Sequence, residues 1–190
     1  MEAFNNYIKQ FPHYTPKVYD MVLPYLQEKV VKAGDYLLQE GKICKHISFI
    51  EKGLFRLYYL TDGKEVTECF CKENSITTSY SSLITATASE INIQAIEDSK
   101  LIVLPYHGLQ KLYKKELFWQ QVGRLAAESE FLIMESHNRF IRDLSATERY
   151  RLILENEADL LQRVPLNYLA TYLQITPETL SRIRKKIVRT

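Results

Sequence analysis

Cysteine is scarce in this chain, with only Cys44, Cys69 and Cys71 among 190 residues. A small, odd number excludes the disulfide framework that staples small secreted domains and points to reduced thiols. Cys69 and Cys71 alternate onto one face of a strand, yet no fourth ligand stands at metal-site spacing, and His13, His46, His107 and His137 show no such spacing either. They are read as packing or surface residues, so no metal and no cofactor is expected. Long apolar runs are absent as well. No stretch approaches the roughly 18 to 20 residues needed to span a bilayer, and the first residues, Met1-Glu2-Ala3-Phe4, lack the basic and apolar regions of a signal peptide. A cytoplasmic protein without a membrane partner is the expectation. Proline is missing altogether between Pro24 and Pro105, whereas four of the six glycines (Gly34, Gly41, Gly53 and Gly63) fall in that window.

What fills the window is β-rich. Short runs at 29–32, 36–39, 46–51 and 54–60 are punctuated by those glycines, and Asp62-Gly63 reads as a hairpin turn into 65–71. Further strands are expected at 90–96 and 100–104. Many short strands with regular turn signals mean a β-sandwich or barrel. Ahead of it, Phe4, Tyr7, Ile8 and Phe11, then Val18, Met21, Val22 and Tyr25, follow helical spacing broken by Pro12 and Pro16, which predicts two short helices.

Pro105 opens helical sequence, and from Glu116 to Leu144 only Gly123 interrupts a helix. Phe118, Val122, Leu125, Ser129, Leu132, Ser136 and Phe140 recur at intervals of three and four, close to the seam of a coiled coil. A helix of about 25 residues, near 38 Å, outruns one small β-domain, so this face is expected to pair with a second copy of the chain. The alternative is that the helix folds back on its own barrel. Ser145 with Glu148 makes a capping-box pattern that starts a new helix, carrying Tyr150, Ile153 and Leu154 inward and leaving a hinge near Leu144.

The C-terminal stretch is electrically distinct. From Arg163 onward six basic residues face one acid, a charge of +5 that leaves −3 for the rest of a chain whose total is +2. Pro165 opens one short helix, with Leu166, Leu169, Ala170 and Leu173 on its inner face. Thr176-Pro177 caps and starts a second, with Leu180, Ile183 and Ile187 inward. Glu178, Arg182, Lys185 and Arg189, with Ser181 and Lys186 beside them, lie opposite. A cationic helix face suits a polyanion, or is simply a solvated surface with a Glu178–Arg182 pair.

This order, and in particular Val31-Lys-Ala-Gly-Asp-Tyr-Leu-Leu-Gln-Glu-Gly41, Ile47-Ser-Phe-Ile-Glu-Lys-Gly-Leu-Phe-Arg56 and Ile175-Thr-Pro-Glu-Thr-Leu-Ser-Arg182, resembles the Crp/Fnr superfamily of bacterial transcription regulators. The resemblance implies an α+β fold: a cyclic-nucleotide-binding-like β-roll (a double-stranded β-helix or jelly roll) over 1–115, a long dimerisation helix and hinge over 116–144, and a winged helix-turn-helix over 145–190. It implies a non-enzymatic homodimer on an inverted-repeat DNA duplex, with RNA polymerase among its partners. Thr176, Pro177, Glu178, Thr179, Ser181, Arg182, Lys185 and Lys186 would contact DNA, Arg182 as a fork on guanine and Glu178 on a cytosine amino group. Where the family commonly has glycine in the turn, this chain has Gln174, which predicts a left-handed non-glycine residue.

Family members that bind cyclic nucleotide use a Gly-Glu pair, a short helix and an Arg-Ser or Arg-Thr pair. The corresponding stretch here, 74–92, has no Gly, Arg or Lys. A buried phosphate would lack its countercharge, so neither cyclic AMP nor cyclic GMP is expected. An unidentified small-molecule effector, if one binds, would meet Tyr80, Ser81, Ser82 and Thr85. Two other readings remain open: a module whose helix-turn-helix binds protein, and a cupin-like enzyme, which would need a histidine pair and an acid where this barrel region has only His46.

Overall fold

Phe4 and Ile8 lie four residues apart on α1 (Glu2–Ile8), and Val18 and Val22 repeat the spacing on α2 (Pro16–Val22), so each short helix has one apolar stripe to bury. Pro16 takes the first position of α2, where its missing N–H costs nothing. In the computed structural model, which describes the backbone of residues 1–188 and side chains through residue 187, both stripes pack on one face of a β-sheet. Arg189, counted above in the basic face, lies outside the described residues.

Eight strands are described: β1 (Gln27–Val31), β2 (Tyr36–Leu38), β3 (His46–Lys52), β4 (Phe55–Thr61), β5 (Lys64–Cys71), β6 (Ile76–Thr77), β7 (Asn92–Ala95) and β8 (Ser99–Pro105). They form two four-stranded sheets, ordered β1-β8-β3-β6 and β2-β7-β4-β5. Every strand pair whose register is described is antiparallel. Alternation divides the first sheet's side chains between two cores. Phe49, Ile102 and Leu104 face α1, α2, α4 (Tyr106–Lys115) and the start of α5 (Leu117–Asp143), whereas Ile50, Leu101 and Val103 join Phe55, Leu57, Ile93 and Ala95 of the second sheet. Asp62 and Gly63 hold φ at 51° and 73°, the pair of left-handed residues that a tight hairpin turn between β4 and β5 requires. Between β6 and β7 the chain makes a short helix, α3 (Tyr80–Thr85), which the hydropathy pattern did not suggest.

The chain divides into two units, one comprising Met1–Tyr59 and Cys69–Glu128, the other Leu60–Glu68 and everything from Ser129 onward. The second unit is helical apart from the hairpin tip. After the C-terminal half of α5 come α6 (Ala146–Asn156), α7 (Ala158–Arg163), α8 (Leu166–Tyr172) and α9 (Pro177–Val188). Its core includes Tyr150, Ile153, Leu160, Val164, Leu169, Ala170, Leu173 and Leu180, all buried. Among the described residues no strand follows α5, and the sequence from 146 to 188 forms helices and their short connections.

Candidate nucleic-acid interface

The turn between α8 and α9 is built by hydrogen bonds that use the last carbonyls of α8. Gln174 sits at φ 53°, as its place in the turn predicts, and its N–H donates to the Thr171 carbonyl at 3.0 Å. Ile175 N–H reaches back to the Ala170 carbonyl at 3.0 Å, completing a Schellman closure with a non-glycine residue in the left-handed position. Thr176 then caps α9, its Oγ1 accepting from the Thr179 N–H at 3.3 Å, and Pro177 follows at the first helical position. Leu169, Ala170, Leu173 and Leu180 are completely buried where the two helices meet, which fixes the rotation of α9 about its axis.

That rotation leaves Thr176, Pro177, Glu178, Arg182, Lys185 and Lys186 exposed, with Thr179 and Ser181 half-buried beside them. Arg182 Nη2 donates to Thr179 Oγ1 at 3.0 Å, and Thr176 Oγ1 donates to the same hydroxyl at 3.2 Å, so the guanidinium is held near the start of the helix. The Glu178 carboxyl lies below its usual range, chiefly because its own backbone N–H bonds to it, with Thr176 and Arg182 close by. It is therefore an acceptor at neutral pH. Arg184 is different from the other basic residues of this helix. It is half-buried, with its guanidinium 5.8 Å above the Tyr150 ring, and serves packing between α9 and α6.

Along α5 the expected seam separates into three parts. Phe118 is only 3% exposed and Val122 packs against the same core, with Phe118 edge-on to Tyr14 and Trp119 at ring separations of 6.3 and 5.4 Å. Phe140 stacks with His137 and Tyr172 of its own chain at 6.0 and 5.9 Å. Between them Leu125 is half-buried, and Ser129, Leu132 and Ser136 are exposed. Phe131, Ile133 and Met134, between 53% and 61% exposed, widen this apolar surface, which a seam traced only at intervals of three and four does not capture.

The α3 segment has a mostly structural hydrogen-bond pattern. Ser82 is buried; its Oγ accepts from the Cys44 N–H at 2.9 Å and donates to the Thr87 carbonyl at 2.6 Å. Thr85 Oγ1 donates to the Ser81 carbonyl at 2.8 Å and lies 2.7 Å from the Thr87 hydroxyl. Tyr80 and Ser81 have exposed side chains. These four residues share one helix, with Ser82 turned inward and the others outward. Among the described residues no group of three or more His, Cys, Asp or Glu side chains is placed to hold a metal, and no helix is long and apolar enough to cross a membrane.

Comparison with known proteins bears on both units. Residues 28–116 match the model of the cyclic nucleotide-binding domain, while no curated protein matches the chain. Among solved structures, FixK2 from Bradyrhizobium japonicum is 18% identical with a TM-score of 0.75, over 86% of this chain and 85% of that one. A protein assigned to the Crp/Fnr family of transcriptional regulators from Eubacterium rectale is 19% identical, TM-score 0.75, over 97% and 88%. The c-di-GMP-responsive global regulator CLP of Xanthomonas campestris is 15% identical, TM-score 0.71, over 92% of each chain. Residues 28–116 are therefore similar to a cyclic nucleotide-binding domain, and the chain shares the α+β fold of these Crp/Fnr-type regulator structures.

Proposed function

We propose that the chain is a transcription regulator that binds double-stranded DNA as a homodimer on an inverted repeat. The observation that carries this reading is α9. Its apolar residue Leu180 is fully buried while Thr176, Glu178, Arg182, Lys185 and Lys186 are exposed together on a helix anchored by a Schellman turn. A helix of this kind enters the major groove with its N-terminal residues at base edges and its basic residues on phosphates. Arg182 reads guanine, Glu178 accepts from cytosine, and Lys185 and Lys186 hold the backbone. The exposed α5 surface around Leu125, Ser129, Leu132 and Ser136 pairs with a second copy, placing two α9 helices about 34 Å apart. The domains follow as a β-roll over 1–115, a dimerisation helix over 116–144 and a DNA-binding domain over 145–190.

Any effector of the β-roll is one other than a cyclic nucleotide, because 74–92 brings no cation or glycine to a phosphate. Selection of bound duplexes from a random pool tests the reading. Recovery of an inverted repeat supports it, and recovery of no sequence, or of one without two-fold symmetry, refutes it. The selected duplex should also lose affinity steeply with added salt, as phosphate contacts demand.

A further inference from the structure

Glu178 and Arg182 of α9 are both exposed and stand four residues apart, the spacing at which glutamate and arginine ordinarily pair along one face of a helix. Such a pair would neutralise the two groups assigned above to base edges. In the structure Arg182 turns elsewhere. Its Nη2 donates to Oγ1 of the half-buried Thr179 at 3.0 Å, while the Glu178 carboxylate is held chiefly by its own backbone N–H.

Thr179 Oγ1 is itself fixed. It accepts a second hydrogen bond from Thr176 Oγ1 at 3.2 Å, and the Thr179 N–H donates back to Thr176 Oγ1 at 3.3 Å. A hydroxyl oxygen has two lone pairs, and both are occupied by these donors. The residue that caps α9 thereby sets the position of the acceptor that receives Arg182. A guanidinium carries five N–H groups, so the bond to Thr179 leaves four, among them at least one on each Nη atom for the two acceptors of guanine.

We propose that Thr179 is the positioning residue for Arg182: its hydroxyl holds the guanidinium away from Glu178, so that one helix carries an unneutralised reader of guanine and a separate acceptor for cytosine. This rests on the DNA-binding reading above and deepens it. The two arrangements open to Arg182 differ in what they leave available. Paired with Glu178, the arginine and the carboxylate each occupy the groups that base edges need, and the pair must break before either reads. Bonded to Thr179, a neutral partner, the arginine keeps its charge and the carboxylate its lone pairs, and the long side chain is already restricted before the duplex arrives.

Thr179→Val keeps the branched shape and the backbone N–H that serves the cap but removes the acceptor, whereas Thr179→Ser keeps the acceptor. On the DNA-free chain, the Glu178 carboxyl followed by NMR should titrate at lower pH in Thr179→Val, as Arg182 turns to it, and at the wild-type pH in Thr179→Ser. On the selected duplex, Thr179→Val should bind about fivefold more weakly and Thr179→Ser as the wild type does, and the loss should disappear in an Arg182→Ala background, since a positioning residue acts only through the residue it positions. An unmoved Glu178 titration in Thr179→Val overturns the proposal. So does a loss of equal size with and without Arg182, which makes Thr179 a direct contact to the duplex. A wild-type chain that binds no duplex refutes the DNA-binding reading, while the Glu178 titration still decides whether Thr179 keeps Arg182 from Glu178.

Discussion

A Cβ placed on Gly53 would stand 2.0 Å from Oγ of Ser99, closer than any side chain tolerates, and Gly53 also holds φ at 108°. The contact lies where the chain passes from β3 to β4, and the Gly53 N–H is fixed by Glu73 Oε1 at 2.8 Å. Gly53→Ala should therefore cost about 3 kcal/mol, from strain and overlap together. Gly34, at φ 86° with nothing within 4 Å of the added carbon, is the control, and Gly34→Ala should cost about 1 kcal/mol. Urea midpoints measure both. Equal shifts would remove the steric account of Gly53.

The capping box of α6 gives a second expectation. Ser145 Oγ accepts from the Glu148 N–H at 3.4 Å, and Glu148 Oε2 accepts from the Ser145 N–H at 2.8 Å. Ser145→Ala should lower stability by about 1 kcal/mol, and Ser145→Asp should largely restore it, since aspartate caps as well as serine does. Equal loss in both variants would show that the side-chain bond contributes nothing.

These two sites differ in how they could be read. The capping box depends on residues three apart, and the turn at Gln174 depends on the residues beside it, so local sequence determines each. Gly53 is required by Ser99, 46 positions away, and nothing near Gly53 announces that contact. The same distinction explains α5. Spacing marked Phe118 and Phe140 as apolar positions on one helix face, but the partner is set by folding: Phe118 meets Tyr14 from the connection between α1 and α2, and Phe140 meets Tyr172 from α8. Helix α3 lay in a run of serines and threonines whose hydroxyl bonds favour several local conformations, so its pattern was uninformative. The exposed face of α9 was legible because its apolar positions are few and regularly spaced.

His137 predicts a pH dependence. Burial between Phe140 and Tyr172 depresses its pKa below the ordinary value of 6.5. The unfolded chain then takes up a proton that the folded chain refuses, so stability is full above pH 6.5 and falls as pH drops below it. His46 is depressed in the same direction, by burial and then by Lys29, and contributes its own loss. His137→Phe should thus flatten, without abolishing, the decline in stability between about pH 7 and pH 5. Urea titrations across that range decide it, and identical slopes for variant and wild type would exclude His137 as a source.

On the DNA side, Arg182 and Lys186 should separate by kind of loss. Arg182→Ala should weaken the selected duplex by about 1–3 kcal/mol and relax preference at one base pair, whereas Lys186→Ala should weaken all duplexes alike and reduce the salt slope by about one. Anisotropy titrations on specific and random duplexes measure this. Equal losses on both duplexes for Arg182→Ala would reassign it to the phosphate backbone.

Leu132 provides the test of self-pairing. It is 61% exposed in the single chain, beside exposed Ser129 and Ser136, and a second copy along α5 would bring it opposite its own counterpart. Leu132→Glu then places two carboxylates against each other in a desolvated seam, which opposes association both by burying charge and by repulsion. The dimer dissociation constant should rise by at least about tenfold, and affinity for an inverted repeat should fall further than affinity for a single half-site, because only the former needs two copies held together. Arg124→Ala is the matched control. Arg124 lies off the seam and pairs with Glu128 at 2.6 Å on an exposed surface, so its loss should leave association unchanged. Sedimentation equilibrium on the three proteins decides the matter: if Leu132→Glu associates as the wild type does, pairing does not run through this face of α5.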